Sequence, residues 1–162
     1  MYSLKLPRTL ILSTHDWCQI FKKKQHLSLN KKTFHDYDYI VGPYNIKNIH
    51  WLAVLVSIKS KTFMVLDPKG NSQSFHLNYF ESWKQYYNQR YDSNIQEWHH
   101  DIRNYQHPRQ SSSDNYNCGV FVSLFIQHFV TYNEVINFKS SKKDMKNYRD
   151  LIAQFLEDNK SL

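Results

Sequence analysis

One stretch constrains this chain more than any other. Trp51-Leu-Ala-Val-Leu-Val-Ser-Ile58 is a continuous apolar run rich in β-branched residues. A strand with one wet face alternates in polarity, whereas a run of this kind suits a strand buried on both faces. Lys59-Ser60-Lys61 interrupts the run, Thr62-Phe-Met-Val-Leu66 resumes it, and Asp67-Pro68-Lys69-Gly70 closes it. The pattern predicts a hairpin at the centre of a sheet that needs cover on both sides. Opposed residues of an antiparallel pair have a constant sum of numbers. A four-residue loop at 57–60 sets Val56 against Lys61, a sum of 117 that His50 and Asp67 share. In that register the two are direct cross-strand neighbours on one face. A carboxylate beside an imidazole fixes its tautomer and stabilises the imidazolium.

Several segments supply the cover. Leu77, Phe80, Trp83, Tyr86 and Tyr87 recur at helical spacing over residues 77–91. Residues 118–130 are apolar nearly all round and predict a buried helix. Residues 141–157 predict an amphipathic helix with Met145, Tyr148, Ile152, Phe155 and Leu156 turned inward. A further helix is expected over 8–28, with Thr14, His15 or Asp16 as its cap. Tyr37 to Val41 predicts a strand ended by Gly42-Pro43, and residues 94–99 another. Residues 26–36 and the stretch from Gln106 to Asn117 are polar and predict loops. Helices around a small central sheet make the class α+β. The 162 residues show no internal repeat, so one compact unit is expected. With 12 Tyr, 10 Phe and only 3 Gly, its core is expected to be built from rings.

The formal net charge is +7. A basic balance suits nucleic acid, an anionic membrane or an acidic protein partner. Much of the excess lies in short runs, Lys22-Lys23-Lys24, Lys31-Lys32 and Lys142-Lys143, which read as solvated faces. No apolar run approaches the ~20 residues of a membrane span, and the apolar stretch near the N-terminus is short for a signal peptide. A cytoplasmic or nuclear protein is expected. Two cysteines, Cys18 and Cys118, do not make a disulfide framework. His99-His100-Asp101 lacks a second ligand cluster, so no metal site is expected. No Gly-rich phosphate cradle is present, so no nucleotide cofactor is expected either.

Cys118 stands where a polar loop turns into a buried helix. A thiol there feels the positive end of the helix dipole and its unpaired N–H donors, which favours the thiolate. A histidine nearby would complete the activation. Gln110, upstream in the same loop, carries an amide donor suited to a developing oxyanion. Cys18, in an apolar helical stretch, reads as an inert core thiol.

Ile49-His50-Trp51-Leu52-Ala53-Val54, Val65-Leu66-Asp67-Pro68, Gln110 and Asn117-Cys118-Gly119-Val120-Phe121-Val122 follow one another in the order His, Asp, Gln, Cys. This series resembles the Ulp/SENP family of ubiquitin-like-protein proteases, which are papain-like. Lys143-Asp144-Met145, Arg149 and Ile152-Ala153 are similar to that family's closing helix. The resemblance covers about residues 37–157. It implies a papain-like fold with a small mixed or antiparallel sheet flanked by helices. It also implies a cysteine peptidase or isopeptidase that cuts after the C-terminal Gly of a ubiquitin-like modifier (SUMO, NEDD8 or ubiquitin) or of a Gly-containing precursor. By that resemblance Cys118 is the nucleophile, His50 the base and Asp67 its orienting acid. Gln110 supplies the oxyanion hole with the Cys118 N–H, and Trp51 walls a narrow tunnel for the Gly-Gly tail. No cofactor is implied.

The chain departs from the family pattern in three places. Asn117 stands where the family usually has Asp, and the loop from Gln110 to Cys118 is about two residues longer than usual. The front helices of the family are not evident before residue 37, so the domain, 1–162, reads as shortened at its N-terminus. Two other readings follow: a protease-fold module that binds a modifier without cutting it, and a nucleic-acid-associated protein. Acyl transfer to an acceptor other than water stays open beside them.

Overall fold

The central hairpin forms, and the rest of the sheet is laid down on either side of it. In the computed structural model, which describes residues 7–22, 29, 31–70, 73–91, 97–101, 107–134 and 137–160, β3 (His50–Ser57) and β4 (Thr62–Leu66) pair antiparallel. On the far side of β3 lies β2 (Tyr39–Ile46), also antiparallel. Two short strands, β1 (Thr9–Ile11) and β5 (His99–His100), pair in parallel at the two edges. The five-stranded sheet therefore runs β1-β2-β3-β4-β5 and is mixed. Among the described residues four α-helices cover it: α1 (Thr14–Phe21), α2 (Gln73–Tyr91), α3 (Cys118–Tyr132) and α4 (Lys142–Asp158). The expected α+β class holds.

The continuous apolar run of β3 is buried on both faces, as its composition requires. Leu52, Val54 and Val56 join Phe63 and Val65 of β4 in a cluster with Trp17 and Ile20 of α1 and Phe80, Trp83 and Tyr87 of α2. Ala53 and Leu55, with Met64 and Leu66, face Phe121, Phe125 and Phe129 of α3 and Met145 of α4. Half of the buried residues of the first cluster are aromatic. The Phe34 and Trp83 rings stack with centroids 5.9 Å apart, and Trp98 meets Trp83 edge-on at 5.3 Å.

Several details differ from the sequence reading; among them, residues 34–36 of the expected loop form a 3-10 turn that buries Phe34, and Leu77 is 41% exposed. Residues 8–28 do not form one helix. Thr9–Ile11 pair with Tyr39–Val41, and the helix begins only at Thr14. Its N-cap is Ser13, whose hydroxyl accepts the Asp16 N–H while Asp16 reaches back to the Ser13 N–H. A reciprocal box of this kind fixes the start of a helix more firmly than a lone cap. Residues 23–28 of the expected helix lie outside the described residues. In addition, β2 continues through Gly42-Pro43 to Ile46. Val41 O accepts the Leu12 N–H, so Pro43, two residues on, turns its nitrogen toward the side where β1 has already ended. No ladder donor is lost there. Gly42 is required, because a Cβ would sit 2.1 Å from Leu12 O and 2.7 Å from Trp17 Nε1.

The register also differs. The hairpin loop is one residue later than expected, pairing Ser57 with Thr62 and Ala53 with Leu66, so opposed numbers sum to 119. Lys61 closes the loop with φ 53°. His50 and Asp67 are thus diagonal rather than direct neighbours. A shift of two in the sum preserves parity, so the pair stays on one face. In α4, Met145 is buried and Ile152 half-buried, but Phe155 and Leu156 point outward, 65% and 60% exposed. Only the first part of α4 therefore uses its apolar stripe. The expected strand at 94–99 survives as His99–His100, with 92–96 outside the described residues.

Candidate active site

The start of β3 and the end of β4 lie at one end of the sheet, and each delivers a polar side chain there. His50 is the first residue of β3, after a tight turn in which Lys47 and Asn48 hold positive φ. Asp67 follows the last residue of β4. His50 Nε2 lies 2.7 Å from Asp67 Oδ1. Asp67 is fully buried, and 13% of the His50 side chain is exposed. The Lys69 N–H also donates to Oδ1, at 2.6 Å, and Gly70 N donates to Asp67 O at 2.9 Å. The acid therefore caps its own turn, which fixes the carboxylate with respect to the strand end. Gly70 completes that turn at φ 71°, where a Cβ would run into the Arg109 guanidinium. His50 Nδ1 is buried and has no hydrogen-bond partner among the described residues. In the neutral ring with Nε2–H donated to Asp67, Nδ1 carries the free lone pair, the tautomer a general base needs.

The loop before α3 is tied to the same corner. His107 Nε2 donates to Asp67 O at 2.8 Å, and its ring meets Phe125 of α3 edge-on. The Gln110 N–H donates to Pro68 O at 2.8 Å. From Gln110 the chain runs through an exposed serine turn to Asp114, which is buried. The Asp114 carboxylate gathers the loop. Its Oδ1 accepts from Tyr116 N at 3.0 Å, Asn117 N at 3.2 Å and Gln110 Nε2 at 3.2 Å. Its Oδ2 accepts from Asn117 Nδ2 at 2.8 Å, and its main-chain O takes a second bond from Gln110 Nε2 at 2.7 Å. Burial works to raise the Asp114 pKa. The bonds from the Asn117 side chain, the Tyr116 N–H, Gln110 and the Asn117 N–H outweigh that and hold it below the ordinary carboxylate value. From α4, Arg149 donates to Tyr116 O at 3.0 Å and to Asn117 Oδ1.

Cys118 is the first residue of α3 and is 8% exposed. Asn117, its N-cap, makes no side-chain capping bond. The helix start thus meets the thiol without a cap competing for its N–H groups. Trp51 lies on the other face of β3 from His50, half-buried against the α3 cluster. Among the described residues no group of three or more His, Cys, Asp or Glu side chains is placed to hold a metal ion.

A family model described as the Ulp1 protease family, C-terminal catalytic domain, matches residues 9–161. The chain belongs to the Ulp1 protease family. It carries that family's cysteine protease domain. A SUMO protease Ulp1 whose catalytic cysteine is oxidised to a sulfenic acid is similar at a TM-score of 0.69 and 20% identity, over 91% of this chain and 68% of that one. The Ulp1 protease domain in complex with Smt3, the yeast ortholog of SUMO, is similar at 0.69 and 17%, over 90% of this chain and 66% of that one. The central domain of Lpg1148 from Legionella pneumophila follows at 0.53 and 17%, over 96% and 82%. Identities this low carry the fold, and they confirm it as that of the Ulp1 catalytic domain, papain-like. The chain spans about two thirds of the length of the Ulp1 chains it matches. No curated protein matches the sequence.

The structure brings His50 and Asp67 into contact and ties Gln110 to the residue after the acid. Two members of this corner escaped the sequence reading as site residues, Asp114 and His107. Asp114 had one legible signal, an acid three residues before Asn117 in a serine-rich turn, the spacing of a side chain that binds its own backbone. Arg149 was legible as part of the closing helix, but not as a donor to the loop before Cys118.

Proposed function

We propose that this chain is a cysteine peptidase or isopeptidase that cleaves after the C-terminal Gly of a ubiquitin-like modifier or a Gly-containing precursor, using Cys118, His50 and Asp67. The observation that carries the reading is the His50–Asp67 pair, 2.7 Å apart with the acid fully buried, at the corner to which the loop before Cys118 is tied. His50 Nδ1 takes the thiol proton, and Cys118 Sγ forms a bond to the Gly carbonyl carbon. The carbonyl π pair moves onto oxygen, which accepts N–H donors from the Cys118 backbone and Gln110. Collapse breaks the C–N bond, and the departing amine takes the proton held on His50. Water then attacks the thioester, giving its proton to His50, and the thiol leaves with that proton. Throughout, Asp67 holds Nε2–H and offsets the charge of the imidazolium. In this reading Trp51 walls the path of the tail, for which two glycines, lacking side chains, are the natural occupants.

SUMO, NEDD8 and ubiquitin remain the candidate modifiers, and a cytoplasmic or nuclear setting belongs to the same proposal. No helix among the described residues is long and apolar enough to cross a membrane. The test is a panel of the three modifiers, each ending in a thiol-reactive electrophile, offered to wild type and to Cys118→Ala. A covalent adduct with one probe, absent in the variant, is the expected result. A folded wild type that forms no adduct with any of them overturns the reading. It would favour a protease fold that binds without cutting, a reading supported by one observation: the Gln110 amide is already engaged by Asp114.

A further inference from the structure

Asp114 has more hydrogen bonds than a surface turn needs, and they converge on the two residues that flank the proposed chemistry. It touches Gln110, the proposed oxyanion donor, twice, and Asn117, the residue before the nucleophile, twice. The two contacts to Gln110 are unequal. Nε2 lies 2.7 Å from the Asp114 main-chain oxygen and 3.2 Å from Oδ1. Oδ1 is also the oxygen that serves the backbone N–H groups of Tyr116 and Asn117 at 3.0 and 3.2 Å. An acceptor shared among three donors holds each loosely, and Oδ1 keeps two partners if one is withdrawn. The short bond to the main chain fixes where the Gln110 amide sits. The amide is planar, so its second N–H reaches a new negative oxygen by a small swing of the whole group about the short bond, which gives up only the long one.

On the far side, Arg149 holds Tyr116 O and Asn117 Oδ1, so the residues just before Cys118 are gripped from α4 as well. Asp114 grips the N–H side of this segment and Arg149 the C=O side. The Tyr116 side chain, 81% exposed, takes no part in the grip.

Building on the reading of Cys118 as nucleophile and Gln110 as oxyanion donor, we propose that Asp114 is a positioning residue for the reaction, setting the Gln110 amide and the entry of α3 against each other through one carboxylate. It touches no substrate atom. Its work is to hold one Gln110 N–H anchored and the other in reserve, at a fixed distance from the Cys118 backbone.

Aminomethylcoumarin amides of SUMO, NEDD8 and ubiquitin provide the test, with the fastest of the three carried forward. Steady-state kinetics compare wild type, Asp114→Asn and the exchange Asp114→Asn with Asn117→Asp. In Asp114→Asn an amide NH2 must face either the Asn117 NH2 or the three donors on Oδ1, so one side of the network fails. Loss of an aligned oxyanion donor appears in kcat, by about 10- to 100-fold, with KM held within about threefold. The exchange moves the carboxylate to 117, where Arg149 already donates, and restores an amide-to-carboxylate bond between the two positions. It is expected to recover at least half of the lost kcat on a logarithmic scale. Thermal melts report whether each variant is folded. Asp114→Asn with kcat within twofold of wild type overturns the proposal, as does an exchange no faster than the single variant. A wild type that turns over none of the amides overturns the functional reading and this inference with it. Turnover in wild type with no change in Asp114→Asn overturns this inference alone.

Discussion

Cys18 and Cys118 sit on helices that cover opposite faces of one sheet. Cys18 is in the middle of α1, half-buried beside the aromatic cluster. The helix around it is closed at its start by the Ser13–Asp16 box, and α4 is closed in the same way by Ser141 and Asp144. α3 is built otherwise. Its N-cap side chain makes no capping bond, and the residue placed at the open end is Cys118. A side-chain cap contributes about 1 kcal/mol to a helix, so leaving one out forgoes stability that its neighbours take. The carboxylate that would serve as the cap is set back at Asp114, on the N–H groups of Tyr116 and Asn117. Where the chain builds scaffold it satisfies the helix start with a side chain. At the thiol no N-cap side chain takes that part.

The bluntest way to break this contrast is to remove each thiol in turn. Cys118→Ser is expected to abolish turnover of a modifier amide while leaving the melting temperature within a few degrees of wild type. Cys18→Ser, with no part in the chemistry, is expected to keep turnover within about twofold, the scale of surface or half-buried changes away from a site. Equal losses in the two variants would erase the distinction between the helices.

The orienting acid comes next. Asp67→Asn keeps the shape of the side chain but offers an NH2 or a weaker acceptor to His50 Nε2, which favours the wrong imidazole tautomer. A rate loss of about 10³- to 10⁴-fold is expected from such a change in a triad. Circular dichroism separates it from unfolding, since Asp67 also accepts the Lys69 N–H. An unchanged rate would remove Asp67 from the machinery.

How much of this was visible in the sequence depends on the range over which each contact acts. The hairpin and the pairing of His50 with Asp67 were legible because strand periodicity is local and parity survives an error in the loop: the register moved by two in the sum, and the pair stayed on one face. The break between β1 and α1 was not, because Thr9–Ile11 become a strand only when Tyr39–Val41 arrive to pair with them. Nor was the exposure of Phe155 and Leu156, since periodicity shows which residues share a face and not how far the neighbouring surface extends. Asp114 was hidden for a further reason. Its partners lie within four residues on either side, but only the fold buries it and brings Arg149 from α4 onto the same loop.

A gentler probe sharpens the comparison of the two thiols without any substitution. Iodoacetamide at neutral pH, with the labelled residues quantified by peptide mass spectrometry, gives both rates in one sample. Accessibility favours Cys18, which is half-buried, over Cys118, which is 8% exposed. Cys18 was expected as a core thiol, and the structure instead leaves it the more open of the two. In the proposed reading, any greater reactivity at Cys118 then comes from its place at the open helix start and from His50. Faster labelling of Cys118, by about tenfold, is expected. Equal rates, or faster labelling of Cys18, would mean that accessibility governs and that the open start of α3 does nothing for its thiol.

The smallest effect concerns what lies behind the acid. His76, on α2, is fully buried and belongs to the layer on the Cys18 side of the sheet. Burial drives its pKa down to about 4, against the pull of the Asp67 charge and with help from His100 and His107. The imidazole is therefore neutral in the folded protein at pH 7, and the unfolded chain takes up its proton first, near pH 6.5. Between pH 6.5 and about 4 the unfolded state binds more protons, so this group makes stability fall as pH falls; below about 4 both states are protonated and its contribution is level. Asp114 acts lower on the scale, since its folded pKa is depressed and its contribution is lost only as pH falls below the ordinary carboxylate value. His76→Gln keeps a polar side chain of similar reach and removes the titration. Melting temperature followed from pH 7 to pH 4 should fall less steeply in that variant than in wild type, by a few degrees over the window. Parallel curves would show that His76 does not couple folding to protons.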